Sequence, residues 1–217
     1  MNRREFVTSA AILALGGRAF GQQCGPVPGF PYPAVRGCTA EVDIDAVIST
    51  QDCYDYCWAA CMHMIFTLNG HTLSQESIAR QALNIAEDNP TPCASIGGSL
   101  KFRNALSRKY VDQDGNSFRV KLNAFFDPGN GISTMDNRLV ASALSAGRPL
   151  IYCNQTHAMV NYKFVYEDGP LGIVPRQVWV VDPWPPNVRK RMLSGPEATG
   201  APIGTMTFVA DVVVSDD

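Results

Sequence analysis

Apolar positions between residues 57 and 68 recur at helical spacing, with Trp58, Cys61, Met62, Ile65 and Phe66 forming one broad stripe that Asn69-Gly70 ends. The pattern predicts a helix from about Cys57 to Leu68. A second helix is predicted from Ser74 to Ala86, with Ser74 as cap, Glu76 in the first turn, and Ile78, Ala82 and Ile85 on one face. Leu100, Arg103, Leu106 and Tyr110 give a third, Ser99 to Tyr110. The period then changes to two. Phe118, Val120, Leu122, Ala124 and Phe126 share one side of a strand from Ser117 to Phe126. Asp136 to Ala146 reads as a short helix stopped by Gly147, and strands are predicted at Pro149–Asn154, Ala158–Tyr166, Gln177–Val181 and Thr205–Val214. Val42 to Ile48 alternates enough for a short strand ahead of the first helix. Helices fill the front half and strands the back half, which predicts an α+β fold with a cleft between two lobes. There is no internal repeat.

Met1 to Gly21 stands apart from this pattern. Arg3 and Arg4 precede a short apolar run, Val7 to Leu15, and Ala19-Phe20-Gly21 offers a small-x-small cleavage site. Residues 1–21 are thus expected to be an export signal of twin-arginine type, too short in its apolar part to span a bilayer. Residues 22–46 form a Pro/Gly-rich arm, expected to be irregular and extended, with Cys24 and Cys38 as candidates to close it on itself. Residues 47–217 are the folded domain.

Without the signal the chain carries 15 Lys+Arg and 19 Asp+Glu, a formal charge of −4. That balance excludes a basic face of the kind nucleic acid or an anionic membrane requires, so neither is expected as a partner once the signal is removed. All seven cysteines follow the signal: Cys24, Cys38, Cys53, Cys57, Cys61, Cys93 and Cys153. An odd number in an exported chain implies disulfides plus one free thiol, which leaves six cysteines for three bridges if Cys57 is free. The sequence does not fix their pairing. The spacing of Cys53, Cys57 and Cys61 lacks paired CxxC knuckles, so no metal site is expected. Asp112, Asp114 and Asn116 alternate like a calcium loop, but Gly115 comes too early and no distal Glu follows; a hairpin turn is expected.

Candidate chemistry is concentrated in three places. Gln51 precedes the pair Cys57-Trp58 by six residues, and Cys57 opens the first helix, where unpaired N–H groups and the helix dipole favour a thiolate. Gln51 is close enough to offer its amide to an oxyanion. Of three histidines, His63 is expected to be packed or solvated and His71, in the Asn69–Thr72 turn, solvated, whereas His157 stands between two strands that would hold it rigidly. Asp182 ends the apolar strand of Val178 to Val181 and is suited to orient His157; Trp184 is suited to cover their contact. A nucleophile, a base and an orienter of the base are the parts acyl transfer needs.

The order Gln51, Cys57-Trp58, His157, then Asp182-Pro183-Trp184 resembles that of papain-like cysteine peptidases, in particular the bacterial bacteriocin-processing and pathogen-effector types. The similarity spans roughly residues 47–185. It implies a two-lobe fold, with a helical N-terminal lobe, an antiparallel β-rich C-terminal lobe and the active-site cleft between them. It implies peptide hydrolysis with Cys57 as nucleophile, His157 as base, Asp182 as orienter, and Gln51 with the Cys57 N–H as oxyanion hole, supported by Trp58 and Trp184. It also implies a Cys53–Cys93 bridge, leaving Cys61 and Cys153 as further disulfide candidates. No cofactor is implied. The expected protein is a monomer, periplasmic or secreted from a bacterium, acting on a peptide or protein. Two rival readings share the same residues: acyl or amide transfer of transglutaminase type, and a non-catalytic peptide-binding module.

Overall fold

The computed structural model describes residues 19–27, 35–186 and 188–217. Residues 1–18 of the expected export signal, and Pro28, Pro31 and Pro33 of the arm, lie outside them. Ala19 to Gly21 open the first strand, β1 (Ala19–Pro26), which pairs antiparallel with β2 (Arg36–Val42). The Cys24–Cys38 disulfide closes this hairpin. The arm is therefore sheet and not irregular chain: β2 carries Cys38, Ala40 and Val42 into the core at alternate positions and is anchored there. The strand expected over Val42–Ile48 is instead a single 3-10 turn, Asp45–Val47.

Helix α1 (Cys57–Leu68) has the predicted bounds, and nine of its 12 residues are buried. A helix apolar on nearly all sides must lie inside the domain. Asn69 stops it, its side chain donating to the Ile65 carbonyl at 2.8 Å. Helix α2 (Gln75–Leu83) starts at the Ser74 cap and ends earlier than expected, at Asn84 in the left-handed conformation. Helix α3 (Ser99–Ala105) is shorter again. The segment Lys109–Val111 becomes strand β3, because pairing with β4 (Ser117–Asp127) buries Tyr110 beside Phe118. Between them Asp112 accepts from the Asp114 and Asn116 N–H groups at 3.0 and 2.8 Å, the expected turn. A two-residue strand β5 (Ile132–Ser133) borders β4. Helix α4 (Asn137–Ser145) follows its Asp136 cap.

The remaining strands are β6 (Leu150–Asn154), β7 (Ala158–Gly169), β8 (Gly172–Asp182), β9 (Arg189–Met192) and β10 (Met206–Asp216). All ten belong to one antiparallel sheet with the main path β1-β2-β7-β6-β10-β4-β3. Strand β7 shares one edge between β6 and β2, while β8 covers the other and continues to β9.

This overturns the expected α+β, papain-like two-lobe fold. The described residues are 39% strand and 23% helix, with four short helices on a curled half-barrel sheet, and among them there is no separate helical lobe. Two hydrophobic clusters show why. One joins α1, α2 and α3 to Phe118, Val160, Phe208, Ala210 and Val212. The other joins α4 to Ala40, Leu150, Met159, Phe164 and Val209. In β10, residues 208, 210 and 212 serve the first and residue 209 the second, so helices pack on two faces of one sheet.

Candidate active site

The β7–β8 hairpin sets the first pair. Its register Val160↔Val181 places Asp182 opposite Met159, and His157, two residues earlier, is its diagonal neighbour on the same face. His157 Nε2 lies 2.8 Å from Asp182 Oδ1. The turn that carries His157 is fixed by Asn154, whose side-chain oxygen accepts from the Thr156 and His157 N–H groups at 3.0 and 2.8 Å. Trp184 lies edge-on to the imidazole, ring centroids 5.3 Å apart, and its N–H donates to Asp182 Oδ1 at 3.1 Å. Trp184 thus lies beside the His157–Asp182 contact, with its outer side exposed.

Cys57 reaches this pair because α1 packs across β7 and its leading loop is tied to the exit of β8. The Gln51 N–H donates to the Pro183 carbonyl at 2.9 Å, and Tyr54 meets Trp184 edge-on at 5.2 Å. Gln75, buried at the start of α2, holds the same loop from the other side. It accepts from the Asp52 N–H at 2.9 Å and donates to the Thr50 carbonyl at 2.7 Å. The Cys53–Cys93 disulfide and the Trp58 Nε1 bond to the Ala94 carbonyl, 3.1 Å, fasten the segment after Cys93 to the head of α1. Between that segment and the His157 turn runs a cleft of about 370 Å³ lined by both Cys57 and His157.

Burial of the imidazole opposes its charge, but the hydrogen bond to Asp182 and the adjacent Cys57 thiol outweigh this and push its pKa up to about 9. Although the thiol is near enough for this effect, His157 Nδ1 makes no hydrogen bond of good geometry. Catalytic hydrogen bonds are often loose without substrate. Burial would raise the Asp182 pKa, yet its bonds to His157 and Arg191 and the Trp184 N–H hold it far below the usual carboxylate range.

Tyr56 supplies no side-chain cap to α1, so first-turn N–H groups remain available to an anion. The Gln51 amide is committed elsewhere. Its Nε2 donates to the Cys53 and Tyr54 carbonyls, and its buried Oε1 has no partner. In this conformation Gln51 braces the loop and does not face the cleft as an oxyanion donor.

Two cysteine expectations are corrected. Cys61 and Cys153 are free thiols, as is Cys57, so two bridges form and not three. Cys61 is buried among α1 neighbours, while Cys153, on β6, is partly exposed and lines the same cleft as Cys57; burial pushes both thiols up, which favours their protonated form. His71 is also not solvated. It is buried, stacked on Phe118 at 4.0 Å and flanked by Asp112 at 3.5 Å and Asp216 at 3.3 Å. His63 is packed, its Nδ1 2.6 Å from the Leu73 carbonyl. Among the described residues no group of three His, Cys, Asp or Glu is placed to hold a metal ion.

Sequence reasoning missed Gln75, Arg191 and Glu197. Arg191 contacts Asp182 on the side away from His157. Its only trace in the sequence is the basic run Arg189-Lys190-Arg191 after Asp182-Pro183, which alone reads as a solvated edge. No family model, no curated protein and no solved structure matches this chain.

Proposed function

We propose that this protein is an exported cysteine peptidase that hydrolyses peptide bonds through a thioester on Cys57. The observation that carries the reading is the meeting of Cys57, His157 and Asp182 at one end of the sheet, with the His157–Asp182 bond at 2.8 Å and both Cys57 and His157 lining one cleft. Binding alone makes no use of a buried carboxylate that holds an imidazole beside a free thiol. The motif order, which resembles papain-like peptidases, agrees with the assignment.

In this reading Cys57 Sγ attacks the peptide carbonyl carbon and His157 Nδ1 takes the thiol proton. The resulting imidazolium returns that proton to the leaving amine, whose C–N bond breaks. Water then attacks the thioester with the imidazole as base, releasing the carboxylic acid and restoring the thiol. Asp182 keeps the Nε2–H directed away from the cleft, leaving Nδ1 for proton transfer. An imidazole pKa of about 9 favours the charged ring at neutral pH, as a thiolate–imidazolium pair requires. The oxyanion is assigned to the Cys57 N–H and the first turn of α1.

Among the described residues no Asp, Glu, Lys or Arg lines the cleft, and beside Cys57 and His157 the residues Ile96, Phe102 and Phe208 contribute apolar surface, so the substrate class is a peptide with uncharged side chains beside the scissile bond. Two disulfides suit an oxidising compartment, and with residues 1–21 they support export to the periplasm or the medium. No helix of the described residues is long and apolar enough to cross a membrane.

The test is incubation with an irreversible epoxide-type cysteine peptidase inhibitor and mass mapping of the adduct, alongside peptide hydrolysis by wild type and Cys57→Ala. An adduct on Cys57 and loss of turnover in the folded variant are expected. Hydrolysis undiminished in Cys57→Ala overturns the proposal. Conversion of an added amine into an amide product in place of hydrolysis reassigns the site to acyl transfer.

A further inference from the structure

We propose that Arg191, held by Glu197, is a positioning residue that clamps Asp182 and fixes the direction from which its carboxylate meets His157. The two oxygens of Asp182 have separate tasks. Oδ1 accepts from His157 Nε2 at 2.8 Å and from the Trp184 N–H at 3.1 Å. Oδ2 accepts from Arg191 Nε at 2.9 Å, with Arg189 more distant at 3.8 Å. A carboxylate free to rotate about its last bond would present either oxygen to the ring at varying angle; one anchored at Oδ2 cannot.

Arg191 is itself fixed. Its two terminal nitrogens reach the Glu197 carboxylate at 3.1 and 2.8 Å, a two-pronged pairing that suits the planar guanidinium. Glu197 in turn accepts from the Ser194 N–H and hydroxyl at 2.9 and 2.8 Å. The guanidinium, on strand β9, thus bridges a carboxylate at the end of β8 and one in the turn before β10. Arg191 alone would weaken the pull of Asp182 on an imidazolium; the negative charge of Glu197 offsets that of Arg191, while the more distant Arg189 is exposed and screened by solvent.

This inference rests on the peptidase reading for its kinetic readout only. The experiment uses the full chain with its disulfides intact and compares wild type, Arg191→Met, Arg191→Lys and Glu197→Gln. Two quantities are measured: the NMR signal of the hydrogen-bonded His157 Nε2 proton, and kcat and KM for a peptide substrate. Wild type is expected to show a protected Nε2 proton. Arg191→Met is expected to lose it and to lower kcat about tenfold or more with KM within about twofold, a pattern that a purely structural role would not give. Arg191→Lys should recover part of both, since it keeps one charged donor, and Glu197→Gln should fall between. Retention of the proton signal and of kcat in Arg191→Met overturns the inference. If that variant does not fold, Arg191→Lys and Glu197→Gln both matching wild type overturn it. Absence of hydrolysis by wild type would remove the peptidase reading, while the proton signal would still decide the clamp.

Discussion

Replacing Asp182 by Asn tests the site at its most constrained point. The substitution keeps size and shape, but it exchanges one accepting oxygen for a donating NH2. Arg191 Nε, 2.9 Å from Oδ2, can only donate. As the charged donor it favours the amide orientation that turns the oxygen toward the guanidinium and the NH2 toward His157, at the cost of the Trp184 backbone N–H bond to Oδ1. Nε2 must then accept, the ring proton moves to Nδ1, and the nitrogen that faces Cys57 no longer serves as a base. The magnitude follows from the imidazole. Its rise from the ordinary 6.5 to about 9 corresponds to about 3 kcal/mol in favour of the charged ring, achieved against the burial that opposes it. Loss of that preference is worth about 10²-fold in rate at 1.36 kcal/mol per factor of ten. The assay is a pH titration of the His157 ring by NMR in wild type and Asp182→Asn, with kcat/KM measured on the same samples. The midpoint is expected to fall from about 9 toward the ordinary 6.5, because the Asp182 bond and charge no longer offset burial and only Cys57 still raises it. A midpoint still near 9 in the variant, or a kcat/KM within about threefold of wild type, would refute the reasoning.

Other outcomes follow from the same geometry. The Asp182 contribution to stability is present above its ordinary 3.8 and is lost as pH falls toward its depressed folded value, whereas that of His157 is complete below 6.5 and is lost as pH rises through about 9. The Tm advantage of wild type over Asp182→Asn in thermal unfolding by circular dichroism should therefore peak between about pH 4 and 6.5 and shrink toward pH 9. Thiol titration of the denatured, unreduced protein should count three free cysteines, Cys57, Cys61 and Cys153; a count of one would restore a third bridge. Replacing Cys53 and Cys93 together by Ala opens a 40-residue separation and should cost about 3–4 kcal/mol in chemical denaturation, with loss of activity because the cleft wall is released from α1. Trp184→Ala should lower kcat severalfold while changing Tm little, since this ring is 38% exposed yet lies edge-on to His157; unchanged kcat would count against a role in shielding the pair.

Local signals in the sequence located α1, the Ser74 and Asp136 caps and the long strands, because each of these buries its own stripe or satisfies its own end. They did not reveal the layering. Alternation in β10 marks a strand, but only the fold shows that residues 208 and 210 meet α1–α3 while residue 209 meets α4. Proline and glycine made the segment after residue 21 read as irregular, whereas β2 gains its order from pairing with β7, a long-range contact that no local pattern announces. The short strands β5 and β9 are polar or only two residues long and carry no period of their own.

The site divides along the same line. Asp182 ends β8 and His157 immediately precedes β7, two strands joined by a tight turn at Gly169–Gly172, so their pairing brings the two residues to the same end of the hairpin. Cys57 depends on more. Its helix must pack across β7, and its loop must be held by Gln75, by the Pro183 carbonyl and by the Cys53–Cys93 bridge. Chemical identity made Cys57 conspicuous, but nothing in the spacing of the chain states that it lies beside the imidazole. Arg191 and Glu197 are the opposite case: ordinary surface residues by composition, given their task by the register that sets Val180 opposite Arg191 and by the turn from Ser194. A nucleophile can be read from its residue type and its helix start, whereas the residues that aim its base emerge only from the pairing of strands.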